Sequence, residues 1–178
     1  MTPTRTTHGP VTCLNVTGIG APGGPEHISA IHALHTLAIT LATGHGPLEG
    51  QWWVEDDRPP LTVPRDQWRW HLLISLPAVP QPGELERARE AARPSGAPVD
   101  RVRLATHTEG DCVEMLHEGP YSDEPRTLQH ITAYMREHHL HPNGPHHEIY
   151  LTPHDHPHPR TLLRQPVRPA HNPAISQA

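Results

Sequence analysis

The segment His146-His147-Glu148-Ile149-Tyr150 carries the clearest capacity for chemistry in this chain of 178 residues. It reads as a β-strand, and a period of two puts Glu148 and Tyr150 on one face, away from Ile149. A carboxylate and a phenol together on an inner sheet face cost desolvation energy unless they are paired or used. On a solvated outer face they would be unremarkable. A second concentration is aromatic: the 4 tryptophans, Trp52, Trp53, Trp68 and Trp70, sit close together in a chain with no Phe. Adjacent Trp52 and Trp53 must point to opposite faces of a strand, so at least one can look into a cavity. Core packing is the ordinary alternative for any one of them, while aromatic walls suit flat, apolar ligands.

The 18 histidines invite a metal reading that the spacing does not support. After His147-Glu148, the place of the second histidine in H-E-x-x-H is taken by Leu151. His138, His139 and His141, then His146 and His147, then His154, His156 and His158 are mostly interleaved with proline and aspartate in loops, where solvated side chains are expected and no metal centre is. Cys13 and Cys112 lack C-x-x-C spacing, and no nearby cation or helix N-terminus marks either as reactive. G-x-S-x-G, the P-loop and G-x-G-x-x-G are all missing, so no cofactor is expected.

Composition narrows the class. The length suits one domain with a real core, although only 34% of residues are hydrophobic. A net charge of -5 with no Lys and no arginine cluster argues against a nucleic-acid partner. No apolar run approaches the roughly 20 residues of a membrane span. The start, MTPTRTTHGPVTCLNV, has no apolar signal segment, which predicts a cytoplasmic location and reduced thiols.

These side chains need elements to position them. Residues 1–10 are polar and are expected to form a disordered tail, and 170–178 a loose one. VTCLNVT (11–17) reads as a strand. Apolar residues three and four apart make 26–43 a helix, followed by strands at 48–55 and 69–76. Residues 83–93 form a short, charged linking helix. DRVRLATHTE (100–109) is expected to turn at Gly110 into a second strand, 111–119. Ser122 offers an N-cap for a helix with stripe Leu128, Ile131 and Met135, before strands at 146–151 and 161–167. The order strand–helix–strand–strand thus occurs twice. It predicts an α+β fold with antiparallel sheets, helices on one face, and a concave opposite face free to enclose a ligand.

TEGDCVEMLHEGPYSDEPRTLQ, HHEIYLT and TLLRQPV together resemble the signature of the GyrI-like small-molecule-binding family. QWWVEDD and DQWRWHLLI are similar to its stand-alone branch, which includes the cyclopropanoid cyclopropyl hydrolases. The resemblance runs from about Val11 to about Pro169. It implies duplicated β-α-β-β (SHS2-like) modules in one domain, 11–169, with half-repeats about 11–76 and 100–168 and a ligand cleft between them. It places Glu148 in the pocket, matches Tyr121 to the tyrosine of G-P-Y, and makes Trp52, Trp53, Trp68 and Trp70 aromatic walls. Met115 and His117 would lie near the floor if their strand lines the cleft. The implied reaction is addition of water to the activated cyclopropane of a flat, aromatic, DNA-alkylating small molecule. Glu148 would orient or deprotonate the water, and Tyr121 or Tyr150 would donate to the developing phenolate. A monomer or homodimer without metal or cofactor is expected. The alternative is a drug-binding or sequestering protein whose Glu148 complements a cationic aromatic ligand, with metal handling by the histidine tracts a weaker third. The chain departs from its relatives in the loop TPHDHPHPR and in its lack of lysine, neither of which touches the pocket positions.

Overall fold

The computed structural model describes residues 2–41, 44–153 and 155–170. In chain order these form β1 (Thr4–His8), β2 (Val11–Ile19), α1 (Pro25–Leu41), β3 (Leu48–Trp53), β4 (Arg69–Ser75), α2 (Glu84–Ala92), β5 (Arg103–His107), β6 (Gly110–Glu118), α3 (Glu124–Glu137), β7 (Leu140–Pro142), β8 (His146–Tyr150) and β9 (Arg160–Pro169). The units β2-α1-β3-β4 and β6-α3-β8-β9 are the two expected modules, with α2 between them. All strand pairs are antiparallel. The sheet runs β1-β6-β9-β8-β3-β4-β2-β5, with β7 added beside β9. Pairing of β3 with β8, from Glu49 opposite Ile149 to Trp52 opposite His146, joins the two halves at the centre.

Three local expectations are corrected. Thr4–His8 is not a disordered tail but pairs with Gly110–Glu114, where Arg5 and Thr7 both donate to Asp111, at 2.6 and 2.7 Å. The turn at Gly110 makes no hairpin. With φ at 72° it only bends the chain, and β5 pairs with β2 while β6 pairs with β1 and β9. His8 opposite Gly110 and Val11 opposite His107 keep one register across both bends. The β1–β2 and β5–β6 stretches therefore form one long ribbon that closes the sheet on itself. Finally, Ser122 is not a cap: it lies in a 3-10 turn, Tyr121–Asp123, and no side chain caps α3. Of the loose tail expected at 170–178, Ala170 donates its backbone N–H to the His139 carbonyl at 2.8 Å, and 171–178, like His154, lie outside the described residues.

Helices α1 and α3 lie on one sheet face. α1 packs on β2 and β4, and α3 on β6, β7 and β9. Under α1 are Leu14, Val16, Trp70, Leu72 and Ile74, and under α3 are Val113, Met115 and Leu163. Each such fully buried apolar side chain contributes about 1.5–3 kcal/mol relative to exposure. The β3–β8 seam lies between the two packed zones. No helix among the described residues is long and apolar enough to cross a membrane.

Gly18 is where the first core is tightest, because a Cβ there would sit 2.2 Å from the Trp70 ring. Trp70 is wholly buried and cannot swing away. Gly18→Ala is therefore expected to cost about 1–3 kcal/mol through overpacking, read as a lower midpoint in urea denaturation; an unchanged midpoint would show that the ring has room.

Candidate functional site

Register places Glu148 at the centre of the helix-bearing face. Residues directly opposite in antiparallel pairs share a face, which gives the row Met115, Leu163, Glu148, Gly50, Leu72 and Val16. The site thus lies on the same face as the helices, in the gap between them, and not on the opposite concave face that the element order favours. Alternation brings Tyr150 beside Glu148, as expected, and its hydroxyl donates to Glu148 Oε2 at 2.7 Å. The Trp52 indole N–H in turn donates to the Tyr150 oxygen at 3.3 Å. Opposite Glu148, Gly50 makes room for this chain: a Cβ would lie 3.0 Å from both Trp52 Nε1 and the Tyr150 hydroxyl.

The tryptophans divide. Trp52 is 7% exposed and meets Trp68 edge-on at 6.3 Å. Trp68 is half-buried and anchored by its N–H to the Val63 carbonyl at 3.1 Å. Trp70, expected as a wall, belongs to the core beneath α1, and alternation turns Trp53 to the other face. Tyr121 stands edge-on to Tyr150 at 6.2 Å and is 39% exposed, open to a ligand. Met115 is buried in the second core. His117, expected near the floor, has both ring nitrogens engaged, with the Thr127 hydroxyl at 2.9 Å and the Pro120 carbonyl at 3.1 Å. It holds the loop that presents Tyr121 against α3.

Three residues join the site without having been singled out for it. His27 of α1 packs on Trp52 at 5.3 Å. His146 places Nε2 3.7 Å from Glu148 Oε1, and it also borders a cavity of about 410 Å³ between α3 and β7. Glu124, which by position merely favours the α3 dipole, buries Oε1 without a hydrogen-bond partner among the described residues. Its carboxyl is pushed up to about 8 by burial and then by the Glu148 charge. Burial also raises Glu148, opposed by the Tyr150 hydrogen bond and the His147 charge. Tyr150 is raised well above its ordinary value by burial and by Glu148, so it remains a neutral donor. The Glu148 charge raises Glu124, while the Tyr150 hydrogen bond and the His147 charge favour ionised Glu148, so Glu148 is the first of the two carboxyls to ionise.

A family model described as a GyrI-like small molecule binding domain matches residues 86–164. An uncharacterized conserved protein from Listeria innocua is 32% identical to this chain, with a TM-score of 0.86 over 94% of this chain and 92% of that one. This chain belongs to the GyrI-like family. A hydrolase encoded by lin2189 from the same organism is 30% identical, with a TM-score of 0.83 and the same coverage. The EcmrR C-terminal domain shares only the fold, at 9% identity and a TM-score of 0.65, covering 94% of this chain and 98% of that one. No curated protein matches.

On its other face, this GyrI-like sheet holds a buried polar network where the long ribbon crosses β3 and β8. His147 is wholly buried, with Nδ1 2.7 Å from Glu109 and Nε2 3.1 Å from Glu49. Arg164 bridges Glu109 and Glu114 at 2.6 and 2.9 Å. Gln51 links His71 and His107 at 3.1 and 2.9 Å. His107, Glu109 and His147 bring ligand atoms within 4.8 Å of one another, a spacing that an ion could bridge after modest rotation. Arg164 already pairs with two of the carboxylates there, Glu109 and Glu114.

Burial works against the charged form of His147, but Glu109 and Glu49 outweigh it and raise the pKa. Burial opposes ionisation of Glu109 too, yet His147 and Arg164 hold it at about 2. Linkage fixes both signs. The His147 contribution is full below the ordinary 6.5 and is lost as pH rises through its raised folded value. The Glu109 contribution is full above the ordinary 4.5 and is lost as pH falls towards about 2. Urea titrations across pH should therefore show the stability gap between the native protein and His147→Gln narrowing above pH 6.5; a constant gap would mean that His147 is neutral.

Proposed function

We propose that this protein is a cytoplasmic hydrolase that opens the activated cyclopropane of a flat, aromatic, DNA-alkylating small molecule by adding water, for detoxification or self-resistance. The observation that carries the reading is the Glu148–Tyr150 pair at the β3–β8 seam. One carboxylate oxygen is held by the phenol, and the other lies 3.7 Å from His146 Nε2. Trp68 and Tyr121 offer partly exposed aromatic surface, with Trp52 buried in the core behind Tyr150, and the Listeria innocua hydrolase supports catalysis over binding alone.

In such compounds the strained ring is conjugated to a dienone. Glu148 takes a proton as the water oxygen bonds to the ring methylene. The strained carbon–carbon bond breaks, and its electron pair enters the ring system to give a phenolate. Tyr150 is committed to Glu148, which leaves Tyr121 as the phenol available to the developing oxygen. Burial and then the Glu124 and Glu148 charges raise the Tyr121 pKa, against Thr161, which lowers it, so the phenol keeps its proton to give. Protonation of the phenolate and release of the Glu148 proton to solvent complete the addition of one water. Neither step calls for a metal or cofactor.

Incubation with a spirocyclopropyl dienone alkylator, followed by LC-MS, should yield the compound plus one water. Glu148→Gln is expected to lower kcat by about 100-fold or more, as loss of a general base does, while ligand quenching of tryptophan fluorescence persists. The acid limb of kcat/KM should lie above the ordinary carboxyl value of 4.5, in keeping with the raised Glu148. Quenching with the compound returned unchanged would favour the second reading, a sequestering protein, which the family's description as small-molecule binding supports.

A further inference from the structure

We propose that His146 is a water-positioning residue: its Nε2 and Glu148 Oε1 together accept the two protons of the attacking water. The inference rests on the hydrolase reading above and extends it by one residue. Three observations support it. His146 lies directly opposite Trp52 across the β3–β8 pair, so its side chain enters the same face as Glu148. Its Nε2 is buried and finds no hydrogen-bond partner among the described residues. The 3.7 Å between Nε2 and Glu148 Oε1 is too long for a direct hydrogen bond and short enough for one water to bridge.

In the neutral ring one nitrogen carries the proton and the other a lone pair; Nε2, the atom without a partner among the described residues, is assigned the lone pair. Burial, and then the nearby His147 charge, lower the pKa to about 4 and keep the ring neutral. Two acceptors therefore converge on one point. A water that donates to both turns a lone pair outward, towards a ring methylene lying over the seam. When the water adds, its proton goes to Glu148, the only one of the two acceptors backed by a negative charge, while His146 keeps its hydrogen bond to the nascent alcohol. Such positioning acts on kcat more than on KM.

The test compares His146→Leu, which removes the acceptor, with His146→Gln, which supplies a carbonyl acceptor. Expected with the spirocyclopropyl dienone substrate is a fall in kcat of about 10-fold or more for the leucine variant, with KM nearly unchanged and substantial recovery in the glutamine variant. Leucine retaining the native kcat, or raising KM as much as it lowers kcat, would overturn the assignment while leaving the hydrolase reading in place. A crystal structure of the native protein gives an independent readout if no substrate turns over. An ordered water within hydrogen-bond distance of both atoms would uphold the paired acceptors even then, and a direct His146–Glu148 contact in its place would overturn them.

Discussion

A carboxylate set in the middle of a sheet, on the face that also carries the core, has to be satisfied there. Glu148 is satisfied by one short hydrogen bond from Tyr150, and much of the surrounding geometry follows from keeping that bond. Both residues must share a strand two positions apart, which β8 provides. Gly50 must stand opposite, because a Cβ would crowd the phenol and the indole that steadies it. The helices must stop short of the seam, and they do: α1 and α3 each cover their own half. What remains is a polar floor between apolar zones, where the burial that raises Glu148 also makes it a stronger base.

The single strand β8 serves two environments. Its even positions, His146, Glu148 and Tyr150, line the gap between the helices. Its odd positions, His147 and Ile149, face the enclosed side where the ribbon crosses. His147 there ties β8 to β3 through Glu49 and to the ribbon through Glu109. The two faces are electrically linked, since the His147 charge favours ionised Glu148 and disfavours protonated His146. A buried ion-pair network is weak evidence for net stability. Its clearer consequence is specification: charges that find partners only when the ribbon crosses in this register oppose any other closure of the sheet.

Much of this was legible in the sequence because it depends on local periodicity. The three helices, the module order and the shared face of Glu148 and Tyr150 follow from spacing of two or of three to four residues. What could not be read is set by pairing between distant segments. Thr4–His8 looks like a polar tail until β6 is there to receive it, and nothing local to Gly110 separates a bend from a hairpin. The face that holds the site is fixed by the partners of Glu148, Leu163 and Gly50, which are far away in sequence. Trp53 and Trp70 were grouped with Trp52 by composition, whereas alternation and α1 packing remove them from the gap. Glu124 and His146 carried a weak signal, as an acid at the start of a helix and a histidine two residues before the central carboxylate. Their roles depend on desolvation, which only packing creates.

The account turns on Glu148 acting as a base on water. The most direct test is a single turnover of the spirocyclopropyl dienone by excess protein in ¹⁸O-labelled water, with mass analysis of product and protein. General-base attack predicts one labelled oxygen on the ring-opened methylene carbon in the first turnover and unlabelled protein. Unlabelled product with the label in the Glu148 carboxyl would contradict it, making Glu148 a nucleophile that forms and then loses an ester.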